Sequence, residues 1–163
     1  MHTATTIVVA RISGSPIAPT GAIAAAATTS LPETPRGERN WDYRYSWIRD
    51  ATFALWGLYT LGFDWEANDY FAFIADLAER DGGNLQIVYG IDGTADLTER
   101  ILDHLQGYQD ARPVRIGNAA YQQRQNDVWG TVLESVYLHT KSRDRLDERI
   151  WQVVKQQVEH ALE

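Results

Sequence analysis

The sequence predicts a mainly α-helical fold carrying one short β-ribbon. Three observations point there. Apolar residues recur at three- and four-residue spacing in four stretches. Glycine-containing turns, such as Gly62 and Asp81-Gly82-Gly83, punctuate that spacing. Only two brief runs carry a strand pattern.

The elements follow in order. Residues 1–20 are small and polar at the start, with turns marked by Gly14, Ser15, Pro16 and Pro19. Residues 20–35 are rich in Ala, Thr and Pro, and Pro32 and Pro35 rule out a regular helix, so this is an extended or looped lead-in. The first helix is expected over 49–61. Ala51, Leu55, Leu58, Tyr59 and Leu61 form its stripe, while Phe53, Ala54 and Trp56 fill other faces, so it should be buried on most sides. Asp50 can cap its free N–H groups, and Gly62 stops it. The second helix, 65–80, carries Ala67, Tyr70, Phe71, Ile74, Leu77 and Ala78. Residues 85–89 read as a strand, and Val114-Arg115-Ile116 as another, with which it can pair. A third helix is expected over 119–140 on Val128, Val132, Leu133 and Val136, with Asn118 as its cap. A fourth, 146–162, repeats Ile150, Val153, Val154, Gln157, Val158 and Ala161 and is still in full pattern at the last residue, as if cut inside an element.

Composition narrows the function classes. Fifteen basic against 22 acidic residues give a net charge of −7, which argues against a nucleic-acid partner. With no Cys, disulfides, thiolate catalysis and Cys-ligated metals are excluded. His2, His104, His139 and His160 do not cluster, so neither a metal nor another cofactor is expected. No run is long enough to span a membrane and no secretion signal is convincing, so a cytoplasmic chain without a membrane partner is expected.

The densest chemistry lies in Arg39-Asn40-Trp41-Asp42-Tyr43-Arg44-Tyr45-Ser46-Trp47-Ile48-Arg49-Asp50. Aromatic faces beside Arg and Asp suit a carbohydrate subsite: rings cover C–H surfaces, and the charged groups pair with vicinal hydroxyls. An aromatic core with internally satisfied ion pairs, or a protein-binding hot spot, fits the same composition. Arg49-Asp50 is the sharpest pair, because adjacent residues at a helix start can both face a cleft. The run Ala111-Arg112-Pro113-Val114-Arg115-Ile116-Gly117-Asn118 offers guanidinium and amide groups but no nucleophile. In Tyr89-Gly90-Ile91-Asp92-Gly93, Asp92 reads as a turn former.

Taken together these segments, with Ala18-Pro19-Thr20-Gly21-Ala22-Ile23 and Thr28-Thr29-Ser30-Leu31-Pro32-Glu33, resemble glycoside hydrolase family 15 over residues 7–163. Within it the chain is most similar to the bacterial branch of α,α-trehalases and glucoamylase-like enzymes. The stretch from Trp129 to Trp151 leans toward the trehalases. The resemblance implies an (α/α)6 barrel of twelve helices. Residues 1–20 would hold a remnant of the first barrel helix (residues 7–12) and a lead-in, and 21–163 an incomplete catalytic domain. It implies hydrolysis with inversion, using two carboxyl groups about 6.5–9.5 Å apart. The family's Gly-Ile-Trp-Glu acid motif and its general base are absent, so no catalytic residue is assigned, and Glu134, Glu148, Glu159 and Glu163 lack that context. By the same resemblance Arg49 and Asp50 hold the non-reducing glucose and Trp47 lies beside it. Trp41 and Asp42 share that loop, and Arg112 and Arg115 line the leaving-group side. The implied partners are an α-linked glucose disaccharide or oligosaccharide and the remaining part of the barrel. A glucoamylase-like fragment, or a non-catalytic sugar-binding or assembly module, is the alternative.

Overall fold

The computed structural model describes residues 20–141 and 146–163. The barrel-helix remnant expected at residues 7–12 and the segment 142–145 lie outside the described residues. Four helices dominate: α1 (Ile48–Leu61), α2 (Asp64–Arg80), α3 (Asp127–Thr140) and α4 (Glu148–Leu162). Four two-residue strands accompany them: β1 (Ser46–Trp47), β2 (Val88–Tyr89), β3 (Arg100–Ile101) and β4 (Arg115–Ile116).

α1 ends where the chain needs a left-handed residue. Gly62 has φ 81°, and its N–H reaches back to the Leu58 and Tyr59 carbonyls. α1 packs on α2 and α3, and α4 closes against α2 and α3. Thr52 Oγ1 and Ser135 Oγ meet at 2.8 Å inside the α1–α3 contact, where each also has its own helix carbonyl as partner. Leu55, Tyr70, Ile74, Val88, Tyr89 and Val132 are fully buried between these helices and β2. Burial of such a side chain stabilises the fold by about 1.5–3 kcal/mol. α4 is pinned to the end of α2 by polar contacts. Buried Gln157 donates to the Gly83 carbonyl at 2.8 Å, and Arg149 pairs with Asp76 and Glu79.

The expected burial of α1 on most sides is only partly met. Ala51, Ala54 and Leu55 are covered, but Phe53, Trp56 and Leu61 are exposed, Trp56 by 62%. No helix among the described residues is long and apolar enough to cross a membrane.

The lead-in is one arm of an irregular hairpin. Ala25, Ala26, Ser30 and Glu33 donate to the carbonyls of Tyr45, Tyr43, Trp41 and Arg39 at 2.9–3.1 Å, and Gly37 turns back onto Thr34. The expected pairing of 85–89 with 114–116 does not form. β2 instead pairs antiparallel with β1 (Ser46 opposite Tyr89, Trp47 opposite Val88), and β4 pairs with β3 (Arg100 opposite Ile116). Two-residue ladders are too short for side-chain alternation to specify a partner. The third helix also starts later than expected. Residues Ala119–Gln122 make a 3-10 turn, Gln123 is extended at φ −79°, ψ 141°, and α3 begins at Asp127.

Candidate functional site

The aromatic-rich run divides into a scaffold and a rim. Asp42 belongs to the scaffold. It is fully buried and accepts from Arg44 Nε (2.9 Å), Arg44 Nη2 (2.8 Å), the Arg44 amide (3.2 Å) and the Tyr45 hydroxyl (3.1 Å). Burial pushes this carboxyl up, but the Arg44 hydrogen bonds and charge, with Tyr45, outweigh it and hold the group below its ordinary value. Burial, reinforced by the Asp42 charge, pushes the Tyr45 hydroxyl up, so it stays a donor.

The scaffold ties this run to the 111–118 loop. Asn40 Nδ2 donates to the Pro113 carbonyl (2.6 Å), and the Gly117 amide donates to Tyr45 Oη (2.9 Å). Asn118 Nδ2 donates to the Asp42 carbonyl (2.9 Å), while its Oδ1 caps the 3-10 turn at the Ala120 amide. The Arg115 amide donates to Ser30 Oγ at 2.8 Å, and its carbonyl accepts from Thr29 at 2.6 Å. Its guanidinium pairs with Glu99 at 2.6 Å and reaches Asn40 Oδ1 at 3.4 Å. Gly117 is required here. Its φ is 80°, and a Cβ would lie 2.2 Å from the Thr98 carbonyl oxygen.

The rim surrounds a cavity of about 420 Å³. Ile23, Ala24, Ala25 and Ala26 from the first hairpin arm line it, with Tyr43 and Trp47 from the second. Arg49, Asp50, Ala51 and Ala54 of α1 complete the lining. The Tyr43 and Trp47 rings lie 6.0 Å apart at 48°. The β1–β2 pairing, continued by the Ile48 amide on the Ile87 carbonyl (3.0 Å), fixes where Trp47 ends and α1 begins. Trp47, not Asp50, holds the cap position; Asp50 lies in the first turn, where the helix dipole favours a carboxylate. Among the described residues no hydrogen bond reaches the Asp50 carboxylate. Arg49 Nη1 donates to Asp127 Oδ2 (3.1 Å) and Gln125 Oε1 (3.4 Å) at the start of α3.

The structure therefore brings Trp47, Arg49 and Asp50 together around one cavity. It puts the other candidates elsewhere. Asp42 and Arg115 are engaged in the scaffold, Trp41 lies under the Arg39 guanidinium at 5.3 Å, and Arg112 is exposed and outside the cavity lining. Asp92 is a turn former as expected, its Oδ1 accepting the Thr94 amide at 2.9 Å. The apolar wall 23–26 was not legible as a site element, since a run of Ala and Ile carries no chemical signal. Tyr43 stood inside the motif without a role. Chemically, the cavity offers alanine and aromatic surface on its walls, with a carboxylate and a guanidinium at its edge. That combination suits a small polyol whose ring shows both C–H faces and adjacent hydroxyls.

The profile of glycosyl hydrolases family 15 matches residues 6–162. The trehalase of Mycolicibacterium smegmatis is 61% identical over 154 residues, covering 93% of this chain and 23% of that protein. The trehalase of Mycobacterium tuberculosis gives the same figures. The trehalase of Thermoplasma volcanium is 41% identical over 138 residues, 85% of this chain and 22% of that protein. The chain thus spans about a quarter of the length of these curated relatives. No solved structure matches it. The family match over nearly the whole chain, with this identity to three trehalases, shows that the chain belongs to glycosyl hydrolases family 15.

Proposed function

We propose that the chain forms the glucose-holding end of a trehalase-type glycoside hydrolase, working on an α-linked glucose disaccharide together with the rest of an (α/α)6 barrel. The observation that carries this reading is the single cavity edged by Arg49, Asp50 and Trp47. In this reading Arg49 and Asp50 hold adjacent hydroxyls of the non-reducing glucose, and Trp47 covers its C–H face. Asp42 and Arg115 act through the scaffold, Trp41 belongs to the same loop beneath Arg39, and Arg112 faces the leaving group from the loop that the scaffold holds. The trehalase names of the relatives favour trehalose over longer glucans.

The catalytic carboxyl pair lies beyond this chain, which alone is silent. An inverting mechanism needs a general acid and a general base, each contributing about 10²–10⁴-fold, and has no covalent intermediate to fall back on. The test is glucose release from α,α-trehalose, with and without co-expression of the portion of the Mycolicibacterium smegmatis trehalase that this chain does not match. Release is expected only from the combination, and Arg49→Ala or Asp50→Ala should remove it. Release by the 163-residue chain alone, abolished by a substitution within it, would place the catalytic machinery here and end this reading.

A further inference from the structure

We infer that Asp127 and Gln125 are positioning residues for Arg49, setting which of its nitrogens stay open to a sugar hydroxyl. The inference rests on the sugar-binding reading above. Arg49 comes from the first turn of α1, Asp127 from the first residue of α3, and Gln125 from the segment before it. Both acceptors engage the same nitrogen, Nη1, at 3.1 and 3.4 Å. A guanidinium carries five N–H donors in a rigid fork. Fixing one arm orients the whole plane, and among the described residues Nε and Nη2 have no partner.

Arg49 borders two spaces of very different size. Arg49, Gln125 and Asp127, with Trp47 and Val128, enclose a recess of only about 10 Å³. That space is room for one water and excludes a sugar ring. Arg49 also lines the cavity of about 420 Å³ shared with Asp50. The Arg49–Asp127 pair is half exposed, 47% and 50% for the two side chains, so it contributes little to folding. Its effect is to reduce the rotamer freedom that Arg49 must lose when a ligand binds.

The experiment is a ligand-observed NMR titration of the 163-residue chain with α,α-trehalose and with D-glucose at low and at 1 M salt. The chains compared are wild type, Arg49→Ala, Asp127→Asn and Asp127→Ser. Asn126, not Asp127, holds the cap position of α3, so both variants leave the cap residue unchanged. Both should weaken binding by about two- to fivefold at low salt. Wild-type affinity should fall toward theirs at 1 M salt, where the screening length is about 3 Å, while theirs stays flat. Asp127→Glu should recover part of the loss. Wild-type binding that Arg49→Ala removes but both Asp127 variants retain at every salt concentration overturns this inference alone. A wild-type chain that binds neither sugar, alone or co-expressed with the portion of the Mycolicibacterium smegmatis trehalase that it does not match, overturns the sugar-binding reading and this inference with it.

Discussion

Asp42 and Asp50 come from one aromatic-rich run and have opposite surroundings. Asp42 is buried and saturated, with four donors from Arg44 and Tyr45 on its carboxylate. Asp50 sits exposed at the cavity edge, and among the described residues nothing hydrogen-bonds to it. The same contrast separates Arg115, locked against Glu99 and Asn40, from Arg49, engaged through a single nitrogen. A carboxylate whose acceptor sites are filled by its own protein is structural; one left open at a cavity is available to a ligand. The first set is held by the protein itself; the second lies at the cavity, where the proposed function places the sugar.

The strongest way to break that division is to truncate both carboxylates. Asp42→Ala leaves the buried end of the scaffold without its acceptor and should destabilise the chain by about 3 kcal/mol, or about 6–12 °C in melting temperature. Asp50→Ala should lower stability by less than about 1 kcal/mol, the contribution of a carboxylate in a helix's first turn, yet lose sugar affinity. Equal thermal effects of the two would dissolve the distinction. Gly117→Ala, which forces a left-handed φ on Ala and drives its Cβ into the Thr98 carbonyl, should match Asp42→Ala at about 3 kcal/mol in urea unfolding.

Acid sharpens the same comparison at smaller scale. Hydrogen bonds from Arg44 hold Asp42 below its ordinary 3.8 despite its burial, and the Arg80 hydrogen bond does the same for Asp81. A depressed carboxyl stabilises the fold fully above its unfolded value, and that stability is lost as pH falls through the folded value. Melting temperature should therefore drop steeply as pH falls below about 4, and Asp42→Asn should start lower at neutral pH but lose less over that interval. Parallel curves for the two chains would mean that Asp42 carries no linked proton.

The smallest expected effect has the opposite sign and lies in the helical layer. Gly57 is inside α1, with nothing within 4 Å of where a Cβ would stand. Gly57→Ala should raise stability by about 0.5–1 kcal/mol through backbone entropy alone, read by thermal melting. A loss instead would show that α1's uncovered face is closely packed in solution.

The helices were largely legible. α1 and α2 start one residue before the expected positions, because a strong stripe and a stop at Gly62 or Asp81 mark both ends. α3 was misjudged at its start because Ala119 and Ala120 favour a helix locally, whereas the turn capped by Asn118 runs only four residues. Strand partners were illegible, since two residues of alternation cannot select a neighbour. The site was half legible. The residues of the run pointed to Arg49-Asp50, and the family resemblance added Trp47, Trp41, Asp42, Arg112 and Arg115, but neither told which of them line a cavity, because a charged side chain reads alike whether its partner is protein or ligand. The hydrogen-bond geometry separates the candidates that the protein itself engages from those at the cavity edge.

The ties across the 111–118 loop are made mostly to main-chain atoms: the Pro113 carbonyl, the Arg115 amide and carbonyl, and the Gly117 amide. Any residue type supplies a carbonyl at position 113, so the loop's path is specified from outside by Asn40, Thr29, Ser30 and Tyr45. The side chain at Arg112, exposed and outside these ties, is thereby uncoupled from the loop's shape. Substitutions at 112 can explore new charge and size without unfolding their support. The platform separates what must be inherited intact from the exposed position at which this surface can acquire new preferences over evolutionary time.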